Sequence, residues 1–202
     1  MAIECKLDDY PILYNNKKTL KDLSVDTSGS SGHAYMTESK LLAIDFDEVK
    51  RLYVNEMGHS EDDACSLDAL YQNNDQLIFF EFKNGRVNNS NVRWKAYDSL
   101  MILGGILNIT INQLRKTAIL VIVYNEGVNP IGNSVIKNTD AAPSLISISK
   151  RIKGLAGEEL IRFNLERFKD LYYKEVHTFT KSEFEEYLNQ IADLSAIACQ
   201  SY

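Results

Sequence analysis

Three side chains able to hold a cation or move a proton fall at one end of a predicted hairpin: Asp68, Glu81 and Lys83. They lie in residues 65–95, CSLDALYQNNDQLIFFEFKNGRVNNSNVRWK, where two apolar runs at 67–71 and 76–82 flank Asn73-Asn74-Asp75. Asn and Asp tolerate the positive φ of tight strand connections, so the spacing predicts a hairpin with Asn74-Asp75 as its turn. That turn pairs Asn73 with Gln76, Gln72 with Leu77 and Asp68 with Glu81, and alternation puts Lys83 on the face of Glu81. The three groups then converge within roughly 5–7 Å. A register slip of one residue separates them.

Leu67, Ala69, Tyr71, Ile78, Phe80 and Phe82 alternate with Leu70, Leu77 and Phe79, so the hairpin is apolar on both faces. Such strands lie in the middle of a covered sheet. Charge at the end of a central hairpin is costly unless it is paired or holds a metal. A lone Glu-x-Lys is ordinarily a buried ion pair or a solvated strand end. The aspartate at matching spacing is what favours a site.

Asp68 followed by Glu81-Phe82-Lys83 at the end of an apolar strand resembles the PD-(D/E)xK nuclease superfamily, the restriction-endonuclease-like fold. The resemblance covers roughly residues 45–124, with Leu67 where the family's name has proline. It implies an α/β fold with a central mixed sheet, an antiparallel hairpin plus a parallel strand, flanked by helices. It also implies metal-dependent hydrolysis of phosphodiester bonds. Asp68, Glu81, the carbonyl of Phe82 and an acidic residue from the preceding helix are then the ligands of Mg²⁺ or Mn²⁺. Lys83 orients the attacking water or neutralises developing charge.

The neighbouring elements supply the remaining candidates. A helix is predicted over 45–57, with Asp45 and Glu48 as a capping box and Gly58 as its stop. Its apolar stripe contains Phe46, Val49, Leu52, Tyr53 and Met57, and Glu56 falls near the stripe's middle. Glu56 is therefore the expected acidic ligand from this helix; pairing to a nearby basic residue is the alternative. A second helix is predicted over 92–103, broken by Gly104-Gly105, and its Lys95 and Arg93 are the residues the family would turn toward a substrate phosphate. TAILVIVY at 117–124 is a β-branched run typical of a core strand. With the helix as crossover, it lies parallel to the 76–82 strand.

Elsewhere, Ser/Gly-rich 27–32 reads as a movable connection, 143–153 as a short helix, 171–179 as strand-like and 181–198 as a helix opened by a Thr180/Glu183 capping box. A single domain over 1–202 is expected, with its core at about 45–125 and an elaboration at 143–202.

At 202 residues, 45% hydrophobic and 25% charged, the chain can bury one well-packed core. No run approaches the eighteen or so apolar residues of a membrane span. MAIECKLDDY is too acidic for a signal peptide. Cys5, Cys65 and Cys199 have no Cys-x-x-Cys spacing and read as reduced thiols of a cytoplasmic protein, and three scattered histidines remove a histidine-rich metal site.

The net charge of −6 opposes broad nucleic-acid binding, but residues 1–80 carry −8 and residues 81–202 carry +2. Nucleic acid, DNA ahead of RNA, is the expected partner, and a homodimer or protein partner stays open. The alternative function is a nuclease-fold protein without catalysis that binds a protein, as an immunity, antitoxin or defence module. A plain α/β protein with a structural Glu–Lys pair is the third reading.

Overall fold

The structure, a computed structural model, describes residues 6–26, 34–130 and 160–199, with side chains described as far as residue 191. Helices α1 (Pro11–Tyr14) and α2 (Leu20–Leu23) bracket strand β1 (Lys17–Thr19), and β2 (Val25–Asp26) pairs with β3 (Ala34–Tyr35) in a separate two-stranded ribbon. β4 (Leu42–Asp45) runs directly into α3 (Phe46–Glu56). The hairpin is β5 (Ala69–Asn73) and β6 (Gln76–Lys83), followed by α4 (Asn89–Leu107), α5 (Ile111–Leu114) and β7 (Ala118–Tyr124). After the segment that lies outside the description come β8 (Glu175–Thr180) and α6 (Lys181–Cys199).

The main sheet has six strands in the order β1-β4-β5-β6-β7-β8. Pairing is antiparallel from β1 through β6 and parallel from β6 to β7 and from β7 to β8. This is an α/β fold with a mixed sheet flanked by helices. The hairpin is central, and its turn sits on Asn74-Asp75, with Asn74 at φ 54°. The observed pairs run from Asn73↔Gln76 to Ala69↔Phe80, so the next residues outward are Asp68 and Glu81, the register that the turn chemistry demands.

Each face of the sheet carries its own core. On one, Leu70, Leu77, Phe79 and Leu120 pack beneath Phe46 and Val49 of α3 and Val92, Ala96 and Leu100 of α4. On the other, Ile78, Phe80 and Val121 meet Leu20 of α2 and Phe184 of α6. Fully burying each Phe or Leu contributes roughly 1.5–3 kcal/mol, so the side chains around Glu81 together offset the several kcal/mol that enclosing an ion costs.

Three expectations are corrected. Gly104-Gly105 does not break α4, which continues to Leu107 and ends where Asn108 takes φ 53°. These glycines serve close approach: a Cβ on Gly105 would overlap the Tyr53 hydroxyl of α3, and one on Gly104 would lie 3.1 Å from the Ile109 carbonyl oxygen. α4 also begins earlier than expected, because Asn88 accepts from the N–H groups of Ser90 and Asn91 as N-cap. The buried residues of α3 are Phe46, Val49 and Val54, and its end lies outside the core, with Glu56 exposed and the C-cap Met57 60% exposed.

The Thr180/Glu183 box that opens α6 is present, with the Thr180 N–H donating to Glu183 Oε2 at 2.8 Å. The expected loop at 27–32 and helix at 143–153 lie outside the described residues.

Candidate active site

Asp68 sits one residue before β5, and the chain leading into it is tied from both covering helices. The Cys65 N–H donates to Asp98 Oδ2 at 2.9 Å and the Leu67 N–H to Ser99 Oγ at 2.8 Å, both on α4. The Ser66 hydroxyl donates to Asp47 Oδ1 at 2.5 Å on α3. The Phe46 N–H closes the set by donating to the Asp68 carbonyl oxygen at 3.1 Å. From β6, the Phe82 N–H donates to Asp68 Oδ2 at 2.6 Å, a charge-assisted bond that fixes the carboxylate against the strand carrying Glu81.

Glu81 is fully buried. Lys83 Nζ lies 2.7 Å from its Oε1, so hairpin register brings Asp68, Glu81 and Lys83 together. The geometry adds a fourth member. Lys95, reaching down from the second turn of α4, places Nζ 3.0 Å from Asp68 Oδ1 and 3.0 Å from both oxygens of Glu81. The expected phosphate contact is thus, in this arrangement, the cation between the two carboxylates. Arg93, its companion on the sequence argument, is on another side of α4 beside Tyr97.

Glu56 does not join this group. It is exposed at the C-terminal end of α3, next to the exposed Asn55 and past the buried Val54. The acidic residue that α3 does turn toward the site is Asp47, in its first turn. The hydrophobic stripe hides this residue, because Asp47 lies off it and is placed by the docking of α3 against the segment 65–68. Asp47, Asp68, Phe82, Lys83, Arg86 and Met36 line a cleft of about 360 Å³ that the β2–β3 ribbon helps to wall.

Electrostatics follow from this crowding. Burial, then the Asp68 charge, push Glu81 up to about 8, against the pull of Lys95 and Lys83. Burial pulls Lys95 down, but Asp68 and Glu81 outweigh it and its pKa is raised. Two ammonium groups lie within 3.0 Å of Glu81 and favour its ionised form, but enclosure and the Asp68 charge outweigh them. Asp47 is also raised, by enclosure in the cleft and by Asp68, with the Ser66 hydroxyl opposing, although the residue as a whole keeps an exposed surface.

The donor chemistry suits a hard, oxygen-preferring cation. Glu81 Oε1 is fully enclosed and accepts no hydrogen bond of good geometry, even though both ammonium groups are close. Among the described residues, however, no three His, Cys, Asp or Glu side chains form a ready metal cluster. The cation that the two carboxylates share in this structure is the Lys95 ammonium.

No family model, curated protein or solved structure matches this chain. No helix among the described residues is long and apolar enough to cross a membrane. The functional reading therefore rests on the site itself.

Proposed function

We propose that the chain is a metal-dependent phosphodiester hydrolase of the PD-(D/E)xK, restriction-endonuclease-like kind, acting on nucleic acid. The observation that carries this reading is the convergence of Asp68, the buried Glu81 and Lys83 at the end of the central hairpin, beside an open cleft. The order of antiparallel hairpin, crossover helix and parallel strand supports it.

Asp68, Glu81 and the carbonyl of Phe82 would hold Mg²⁺ or Mn²⁺, with Asp47 in the place that Glu56 was expected to fill. Such an ion supplies Lewis-acid polarisation of the phosphate and a lower pKa for the attacking water. The chain's own residues do the rest. Asp68, fixed by the Phe82 N–H on Oδ2 and by Lys95 Nζ on Oδ1, lines the cleft. Lys83 neutralises charge developing on the phosphate, and Arg86 on the cleft wall binds a neighbouring phosphate oxygen. Lys95 compensates both carboxylates in the metal-free protein and would have to move aside for an ion held by them.

Metal linkage tests the site without a choice of substrate. Mg²⁺ or Mn²⁺ at about 100 times Kd should stabilise the wild type by roughly 2.7 kcal/mol, read as a rise in Tm that Asp68→Asn abolishes. A Tm that no divalent ion moves contradicts metal binding. It supports the second reading, a nuclease-fold protein that binds a partner and does not cleave, which Lys95 specifically favours because it already neutralises both carboxylates.

A further inference from the structure

The first two turns of α4 present a second chemistry on the side away from Lys95. Trp94 is 63% exposed and meets the edge of Tyr97 at 6.4 Å between ring centroids. Tyr97 in turn stacks on Phe168 at 5.0 Å and packs edge-on against Tyr172 at 4.9 Å. Aromatic rings joined in this way form a rigid shelf whose outer member, an indole, is left open to solvent.

Two guanidinium groups flank it. Arg93 lies one turn before Tyr97 on α4, and Arg167 directly precedes Phe168, the ring on which Tyr97 stacks; Arg93 Nε has no hydrogen-bond partner among the described residues. Arg167 is exposed. An apolar partner would cover Trp94 but leave the neighbouring guanidinium charges, that of the exposed Arg167 above all, without an anion. A chain of planar rings joined by anions satisfies both, since bases stack on exposed aromatics and phosphates pair with guanidinium.

We infer that Trp94 and Tyr97, with Arg93 and Arg167, form a ledge that binds single-stranded nucleic acid and leads it to the Asp68–Glu81–Lys83 cleft. The inference rests on the hydrolase reading for its destination, because Trp94 and Lys95 are consecutive residues on two faces of one helix. Duplex bases are stacked on one another and offer no free face to Trp94, so the ledge selects single strands.

Trp94 is the only tryptophan of the chain, which makes it its own reporter. The full-length protein is titrated with twelve-nucleotide oligo-dT and oligo-U, and with a blunt duplex of equal length, in chelator so that no cleavage intervenes. Single strands should quench Trp94 emission, with affinity falling steeply as salt rises, and the duplex should quench far less. By anisotropy of a labelled oligonucleotide, Trp94→Ala and the Arg93→Ala/Arg167→Ala pair should each weaken binding about tenfold or more, and Trp94→Tyr should retain most of it. Melting curves confirm that the surface variants fold.

Absence of binding, binding without quenching, or a Trp94→Ala variant within about twofold of wild type overturns the ledge. So does emission that changes with protein concentration alone while light scattering reports a dimer, because Trp94 then belongs to a contact between copies. The two readings fail separately. Quenching without any Mg²⁺-dependent cleavage keeps the ledge and removes the hydrolase; cleavage with KM unchanged in Trp94→Ala removes the ledge and keeps the hydrolase.

Discussion

At the scale of single residues, the site is a balance between burial and the Asp68 charge, which push Glu81 toward protonation, and two lysines that oppose it. Its raised pKa means the folded state binds the proton more tightly than the unfolded chain does. Its contribution to stability is then fully present below pH 4.5 and is lost as pH rises through about 8. In metal-free buffer, Glu81→Gln should gain on wild type across that window, read as a widening gap in urea midpoints. A gap that stays constant from pH 4 to 9 contradicts the assignment.

Lys95 gives the complementary test. Removing one partner of a buried ion pair costs about 3–5 kcal/mol because the other charge is left uncompensated. Lys95→Ala should therefore lower Tm sharply in chelator, and Mg²⁺ should restore part of the loss by taking the same position. No restoration would mean that the carboxylates need an ammonium and do not accept a metal.

At the scale of elements, the hairpin turn sets which residues face one another. Asn74 adopts φ 54°, a conformation that costs most L-residues roughly 1–2 kcal/mol. Asn74→Val should destabilise by about that amount and Asn74→Gly should not, measured by chemical denaturation. Gly105 plays the analogous part between α3 and α4. Gly105→Ala should cost about 1–3 kcal/mol through overlap with the Tyr53 hydroxyl, and Tyr53→Phe should relieve much of that cost in a double-mutant cycle.

These elements also mark what was legible in the sequence. The hairpin register, the parallel strand and the meeting of Asp68, Glu81 and Lys83 follow from local turn chemistry and strand alternation, which act over a few residues. Glycines in α4 read as a stop because propensity says nothing of a neighbouring helix approaching within contact. The helical stripe points to Glu56 only if α3 is covered to its end, whereas the chain is exposed from Asn55 onward. Asp47, Lys95 and the Tyr97–Phe168–Tyr172 stack depend on how helices and a distant loop dock on the sheet. No periodicity records that.

At the scale of the whole molecule, net acidity and a nucleic-acid substrate are compatible because the charge is uneven. Residues 1–80 carry −8 and the remainder +2, so the cations Lys83, Arg86, Arg93 and Arg167 all belong to the less acidic part. The proposed binding then depends on these few cations and weakens as salt rises. It also predicts that the site, and not bulk charge, decides activity.

The measurement that bears most directly on this account is cleavage of single- and double-stranded DNA and RNA with Mg²⁺ or Mn²⁺. Wild type, Asp68→Ala and Lys83→Ala are compared after melting curves show that all three fold. Turnover in the wild type that falls at least about 10²-fold in each variant is the predicted result. Equal cutting by wild type and Lys83→Ala, or no metal-dependent cutting of any substrate, contradicts it.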